Sequence, residues 1–410
     1  MRVLTIIHLY PPHHLGGYEV ACQSAMERFT ERGHDVLVLT GDWRNDDVDD
    51  VPPAAPVGVR RELDGWWDFA NWSPLRPTPR QRIAIERHNQ RVLRRAVEDF
   101  RPEVASIWDL GMMSWSIATL LEKRGIPVVL TFLDDWVTFA YVFDGWTRIF
   151  DKRPWARPLG ALTGLETRLP SFGSARASVA SRMIARSIER NGRWQFPDAV
   201  LVPIGVDTRD FPVTAPEERP PGWRVLYVGR VVPQKGVPTL VRALSRLPHD
   251  AVLDIVGHAH PSEEQALVEL ATEQCIADRV RFSMASSRSD LRERYRSADV
   301  LVFPSEWPEP FGIVPIEAMA CGTPVVATGT GGSGEFLEDG VNCILFKPGD
   351  PVDLAAAVRR VGEDAELRAR IVAGGLDTAR RLNMDRFTDG IEALHLDAVS
   401  GAAPGADERR

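Results

Sequence analysis

Residues 298 to 328 read ADVLVFPSEWPEPFGIVPIEAMACGTPVVAT. The run VLVF is continuous and apolar, of strand length, and gives way to a loop at Pro304. PVVAT, from Pro324, is a second run of the same kind. A helix must start near Gly312, because Pro315 is tolerated only in a first turn, and it must stop at Gly322, a suitable C-terminal glycine. Two buried strands joined by a crossover helix make one unit of a parallel α/β sheet. Glu309 lies in the loop before this helix, and Glu317 lies about five residues into it, roughly 7.5 Å along the axis. The amides of Phe311, Gly312 and Ile313 point free from the helix N-terminus, which carries about half a positive charge and suits a phosphate. Gly312 lets a ligand come close to the backbone. One carboxylate therefore stands on each side of a phosphate cradle. A charged helix start with solvated glutamates would show the same residues and hold no ligand.

Working outward, buried-strand runs alternate with helical patterns along nearly the whole chain, which predicts parallel α/β sheets. RVLTIIH, DVLVLT, VASIW, PVVLTF, ASVAS and AVLVPI are candidate strands in the first half, and RVLYVG, AVLDIVG, RVRFS, DVLVFP, PVVAT and NCILF in the second. Between the halves, VDTRDFPVTAPEERPPGW is rich in proline and charge, a linker composition. The expected organisation is two Rossmann-like, doubly wound parallel-sheet domains facing a central cleft. Residues 1–205 form the first domain, 206–222 the linker and 223–384 the second domain. A helix at about 385–400 crosses back to the first domain, and the small, polar tail 401–410 is expected to be disordered. Ligands of such sheets bind outside the carboxyl ends of the strands.

The 410 residues are too many for one core. With 44% hydrophobic and 26% charged residues the chain reads as globular, and a net charge of −8 gives no overall attraction to nucleic acid or anionic lipid. Cys22, Cys275, Cys321 and Cys343 are scattered without a CxxC pair, as expected of free thiols in a reducing compartment. No apolar run approaches the ~20 residues that span a bilayer, and MRVLTIIHLYPP has no signal-type cleavage region. A cytoplasmic protein is expected.

A carboxylate is acceptor-only and can take a pair of vicinal hydroxyls. A ligand with polyols at both ends and phosphate between them, such as a nucleotide sugar, fits the two glutamates and the cradle. EPFGIVPIEAMACGTPVVAT resembles the E-x7-E signature of the retaining family 4 glycosyltransferases, which have the GT-B fold. The resemblance covers nearly the whole chain, specifically in the second half and loosely from residue 43 to 125. It implies that Glu309 contacts hydroxyls of the donor sugar and Glu317 the nucleotide ribose. In VLYVGRVVPQKGVPTLVRAL it implies that Arg230 and Lys235 hold the diphosphate and stabilise its charge as it leaves. In YPPHHLGGYEVACQ it implies a loop, Gly16–Gly17, that faces donor phosphates and acceptor; His13 and His14 read as loop residues. GGSGE, ending at Glu335, matches a further loop of the family or an ordinary helix start. The donor is expected to be UDP-linked in preference to GDP- or dTDP-linked, with no cofactor and no metal. The acceptor offers a hydroxyl, in bacterial-type glycoconjugate or natural-product biosynthesis.

The sequence departs from the family at PVVLTFLDDWVTF. Members commonly carry a histidine that touches the reacting sugar where this chain has Leu133. Asp134 either orients acceptor or sugar in its place or serves as a cap. The departure leaves a rival from another class, a non-catalytic nucleotide-sugar-binding module of the same fold. A smaller departure is Ile204 before Gly205, where the family usually shows Asn. Asp47 and Asp49 have the DxD spacing of some metal-dependent transferases, in a loop that reads better as solvated. Trp66, Trp67 and Trp72 could shape an acceptor pocket. Trp146, Ile149, Phe150 and Trp155, with Arg148, Lys152, Arg153 and Arg157, either touch a membrane peripherally through residues 146–157 or pack on their own domain.

Overall fold

A computed structural model describes residues 1–45, 57–68, 73–215, 222–285 and 287–401. The chain divides into two compact units, one of Met1–Val202 with the segment from Phe387 onward, the other of Pro203–Arg386.

The first unit is built on strands β1 (Arg2–Ile7), β2 (Asp35–Gly41), β3 (Gly58–Leu63), the two-residue β4 (Trp67–Asp68) and β5 (Ser73–Pro74), β6 (Val104–Asp109), β7 (Val128–Phe132), β8 (Arg176–Val179) and β9 (Val200–Leu201). Seven of them form one parallel sheet in the order β3-β2-β1-β6-β7-β8-β9, while β4 and β5 pair by themselves in antiparallel fashion. Strands β6 and β7 are buried throughout and β1 from Val3 onward, as in parallel sheets covered on both faces, which is why they read as unbroken apolar runs. Strand β3, sequence GVRREL, pairs with β2 alone among the described residues and is largely half-buried, so it lacks the apolar run that would announce it. Thr78 and Gln81 form a reciprocal capping box, with Pro79 at the first position, that starts the helix Pro79–Phe100.

The second unit carries β10 (Arg224–Val228), β11 (Val252–Val256), β12 (Val280–Ser283), β13 (Val300–Phe303), β14 (Val325–Ala327) and β15 (Ile344–Leu345), parallel in the order β12-β11-β10-β13-β14-β15. Its core packs Val225, Tyr227, Leu240, Leu253, Ile255, Val302 and Val358 into one cluster.

The helix Met384–Gly401 buries Phe387, Ile391 and His395. Phe387 meets Trp108 edge-on at 6.0 Å, His395 meets Phe29 at 5.3 Å, and Arg32 pairs with Asp389 at 2.7 Å. The described part of the stretch with linker composition is not a free linker. Phe211 is fully buried 5.7 Å from Tyr295, and the Thr214 amide donates to the Ala320 carbonyl at 3.1 Å. One large apolar side chain outweighs the proline and charge around it. Tail residues 402–410 lie outside the described residues.

In each sheet the strand order reverses once, between β1 and β6 and between β10 and β13. Loops leaving those strands diverge to opposite faces and open a crevice at the carboxyl edge. The candidate groups gather at these two points.

Candidate active site

In the second unit, Gly229 (φ 145°) ends β10, and the turn Pro233–Lys235 leads to Gly236 at φ 69°. A Cβ on Gly236 would lie 2.0 Å from the Pro304 carbonyl oxygen, so only glycine lets this turn press against the loop after β13. That contact delivers the Lys235 ammonium to Glu309, donating to Oε1 at 2.6 Å and Oε2 at 2.9 Å. The ammonium also lies 5.6 Å from the centre of the Trp307 ring. The guanidinium of Arg230 is exposed and makes no ion pair or hydrogen bond among the described residues. Its backbone carbonyl accepts from the Tyr227 hydroxyl at 2.7 Å.

Glu309 is 4% exposed. Its backbone is clamped by the glycine loop after β14: the Gly332 amide donates to the Glu309 carbonyl at 2.6 Å, and Gly331 stands at φ 65°. A Cβ on Gly331 would meet Glu309 backbone atoms at 2.5 Å. Here is the physical use of the GTGGSGE string. Glu335 at its end is exposed, in the short 3-10 turn Gly332–Glu335. Phe311 packs on Phe336 with ring centres 5.1 Å apart. Gly312, at φ 93°, precedes the helix Ile313–Ala320, and no side chain caps that helix. The first amides are left to bind an anion.

Glu317 lies within this helix and is 3% exposed. Tyr295 Oη donates to its Oε2 at 2.8 Å, and Arg288 to its Oε1 at 3.0 Å. Burial and the adjacent Glu317 push the Tyr295 phenol well above its usual range, so it stays a donor. Arg288 also binds Asp210 at 3.1 Å and lies 4.5 Å from the Phe211 ring centre. A carboxylate has about four lone-pair sites, so Glu317 keeps acceptor capacity for two further donors. Sequence reading missed Arg288 and Tyr295, since an Arg and a Tyr on an ordinary helix announce nothing.

In the first unit, Gly16 caps the helix Gly17–Glu31 with extended backbone and no side-chain bond. A Cβ on Gly17 would meet nothing within 4 Å, so packing does not demand glycine there. His13 Nδ1 accepts from the Asn45 amide at 3.1 Å, and His14 Nδ1 lies 3.2 Å from the Gly16 carbonyl, both loop roles. Leu133, in the family histidine's position, is 8% exposed, and its amide donates to the Tyr18 hydroxyl at 3.2 Å. Asp134 accepts from the Trp136 amide at 2.9 Å. Burial, then the Asp109 charge, raise its carboxyl to about 7.

Sequence reading also missed His8. It follows β1, and register places Ile7 beside Asp109 at the end of β6. His8 Nδ1 stands 2.8 Å from Asp109 Oδ2, and its Nε2 3.6 Å from Glu19 Oε1. Burial opposes charge on this imidazole, but Asp109, Glu19 and Asp134 outweigh it and lift the pKa to about 9. The available signal was position, at a switch point of the sheet.

The structure thus brings Arg230, Lys235, Glu309, Phe311, Gly312, Ile313 and Glu317 to one edge of the second unit, while Gly16, Gly17 and Asp134 belong to the first. Among the tryptophans, Trp66 is buried against Trp146 and Phe150, Trp67 lines a cavity, and Trp72 lies outside the described residues. Of the two readings of residues 146–157, packing on their own domain describes Trp146 and Phe150. Trp146 and Phe150 point inward, 3% and 7% exposed, leaving Trp155 at 72%. Asp47 and Asp49 lie outside the described residues, and no described helix is long and apolar enough to cross a membrane.

Two family models match the chain, one described as Glycosyl transferase 4-like domain over residues 16–205, the other as Glycosyl transferases group 1 over residues 213–376. D-inositol 3-phosphate glycosyltransferase of Frankia alni is 30% identical over 319 residues, covering 72% of this chain and 74% of that protein. The chain belongs to the group 1 glycosyltransferases. The protein of the same name from Thermomonospora curvata is 37% identical over 196 residues, 45% of each chain. This group 1 chain spans about half the length of the first curated relatives it matches, 45% and 51%. Among solved structures, sucrose-phosphate synthase from Thermosynechococcus elongatus is similar with a TM-score of 0.71 at 22% identity, over 98% of this chain and 99% of that one. Anabaena Alr3699/HepE in complex with UDP-glucose gives 0.68 at 20%, over 97% and 100%. The fold is GT-B.

Proposed function

We propose that this group 1 glycosyltransferase moves a sugar from a nucleotide diphosphate donor to an acceptor hydroxyl. The observation that carries the reading is the pairing of Lys235 with Glu309 beside the uncapped helix Ile313–Ala320, with Glu317 further along the same helix. Glu309 takes sugar hydroxyls and Glu317 the ribose diol. The diphosphate lies on the amides from Phe311 to Ile313, met by Arg230 and Lys235, and the family resemblance gives the Gly16–Gly17 loop a role toward the donor phosphates as well. The bond between the anomeric carbon and the diphosphate oxygen breaks, and its electron pair leaves with the diphosphate. Cations and helix N-terminus stabilise that charge. The acceptor oxygen bonds the anomeric carbon and its proton passes to the leaving diphosphate, with Asp134 orienting acceptor or sugar. Retention of configuration follows from the family resemblance. UDP is the preferred nucleotide, in line with the UDP-glucose named in the Anabaena structure. No metal or organic cofactor takes part.

The rival reading, a binding module without turnover, is favoured by Leu133, which offers no ring nitrogen where the family's histidine would reach the sugar. Thermal shift with UDP-, GDP- and dTDP-sugars, followed by nucleoside diphosphate release in cell extract, decides between them. A ligand that binds raises apparent stability by mass action. Stabilisation with release supports transfer, stabilisation without release the binder, and no stabilisation by any donor rejects both.

A further inference from the structure

The two most exposed large apolar side chains among the described residues are Leu162 and Trp155, at 84% and 72%. Both belong to one run of the first unit, the 3-10 turn Pro154–Ala156 with the helix Arg157–Ala161 that continues it and the residue after. Sizes along this run are inverted. Ala156 is buried in one cluster with Trp146 and Phe150, and a Cβ on Gly160 would stand 2.7 Å from Phe150 Cε1. Residues 156 and 160 are four apart and residues 155 and 162 seven apart, so the small residues share an inner face and the large ones an outer face. A helix that spends its apolar side chains on the core places them the other way round. Charge on the run is of one sign. From Lys152 to Leu165 the sequence carries Lys152, Arg153 and Arg157 and no acidic residue. All three are exposed, and no ion pair or side-chain hydrogen bond holds any of them among the described residues. The acids at either end are committed elsewhere. Asp151 accepts from Arg193 at 2.9 Å and from the Tyr141 hydroxyl at 2.6 Å, and Glu166 is buried and paired with Lys123.

Exposed apolar surface rimmed by charge marks a contact with a partner or with lipid. Three cations without a counter-charge call for an anionic surface, and an indole and a leucine beside them suit the boundary between headgroups and acyl chains. We propose that the run Lys152–Leu162 docks the protein on an anionic lipid bilayer, with Trp155 and Leu162 entering the interface and Lys152, Arg153 and Arg157 meeting lipid phosphates. The net charge of −8 does not oppose this. At physiological salt, exposed charges are largely screened beyond about 8 Å, so a bilayer meets the local charge of the run and not the total of the chain. Two large apolar side chains on so short a run give reversible binding at the surface, not insertion. Docking needs neither donor nor turnover, so it stands apart from the transferase reading.

Vesicle flotation with the full chain tests it, using phosphatidylcholine alone and phosphatidylcholine mixed equally with phosphatidylglycerol. The protein should float with the anionic vesicles and stay behind with the neutral ones, and added salt should weaken the binding. Arg153→Gln should weaken it about fivefold, and Lys152→Gln, Arg153→Gln and Arg157→Gln together roughly a hundredfold. Trp155→Ala should cost about tenfold. Val352→Ala, at the next most exposed large apolar side chain but in the second unit, should change nothing. Melting temperatures confirm that the variants fold; if Trp155→Ala does not, the triple glutamine variant decides. Equal binding to both vesicles, binding to neither, a triple variant that binds like wild type, or an effect of Val352→Ala as large as that of Trp155→Ala would each overturn the proposal. A dimer seen by sedimentation without vesicles, and dissolved by Trp155→Ala, would overturn it by making the run a contact between copies. Single-stranded RNA bound more tightly than the anionic vesicles would overturn it by assigning the run to nucleic acid.

Discussion

The Lys235 ammonium donates to both carboxylate oxygens of Glu309, at 2.6 and 2.9 Å, and Glu309 is 4% exposed. Two of the three ammonium donors are spent on this bond and one remains for a phosphate oxygen. Removing the lysine strands a buried carboxylate. Lys235→Ala should lose about 2–4 kcal/mol of unfolding free energy as well as activity. Adding Glu309→Ala should recover part of the stability and none of the activity. Denaturant melts of both single variants and the double variant measure the coupling, and additive losses would refute it.

Glu309 and Glu317 are expected to divide the donor between them. Glu317→Gln should weaken free nucleoside diphosphate by about tenfold or more, the scale of a charge-assisted hydrogen bond. Glu309→Gln should cut turnover and leave that affinity near wild type. Calorimetry with nucleoside diphosphate alone separates the two, and equal losses of affinity would reverse the assignment. Glu317→Gln keeps the volume that packs against Tyr295 and Arg288, and Glu309→Gln the volume beside Lys235, so unfolding is not the expected cause of a loss.

Activity should survive excess EDTA, because Arg230, Lys235 and the helix N-terminus are proposed to carry the charge of the leaving diphosphate. Complete loss that manganese or magnesium restores would reject this and return attention to Asp47 and Asp49.

The second unit was the more legible. Pro315 and Gly322 bracket a helix that runs from Ile313 to Ala320, and the charged donor-side residues are concentrated in two short strings. Covalent constraints on proline and glycine are local, so sequence shows them directly. The residues that hold Glu317 were not legible, because Arg288 and Tyr295 come from a helix 22 or more residues upstream. Phe211 was hidden by the proline and charge around it, and Trp146 by the basic side chains that made its helix look like a surface. The His8–Asp109 pair joins strands about 100 residues apart and emerges only from the parallel register of β1 and β6. Patterns along the chain report local structure well, and pairings across a sheet only once its strand order is known.

That pair sets the last expectation. The three carboxylates of Asp109, Glu19 and Asp134 face His8 and raise its pKa to about 9. A raised histidine pKa contributes stability that is fully present below the ordinary value of 6.5 and is lost as pH rises through about 9. Melting temperature should therefore fall between pH 7 and 10 by more in the wild type than in His8→Gln. In Asp109→Asn burial is opposed only by Glu19 and Asp134, so the imidazole should titrate well below the wild-type value. Two-dimensional NMR of the ring protons reads that titration directly. Activity adds a readout that a purely structural role would leave unmoved. If the imidazolium holds Asp134 ionised for the acceptor, His8→Gln should raise the Asp134 carboxyl above its value of about 7 and shift the acid limb of the turnover profile to higher pH. A His8 that titrates near 6.5 in the wild type, or a pH profile unchanged by His8→Gln, would remove this cluster from the chemistry and leave it a buried ion pair.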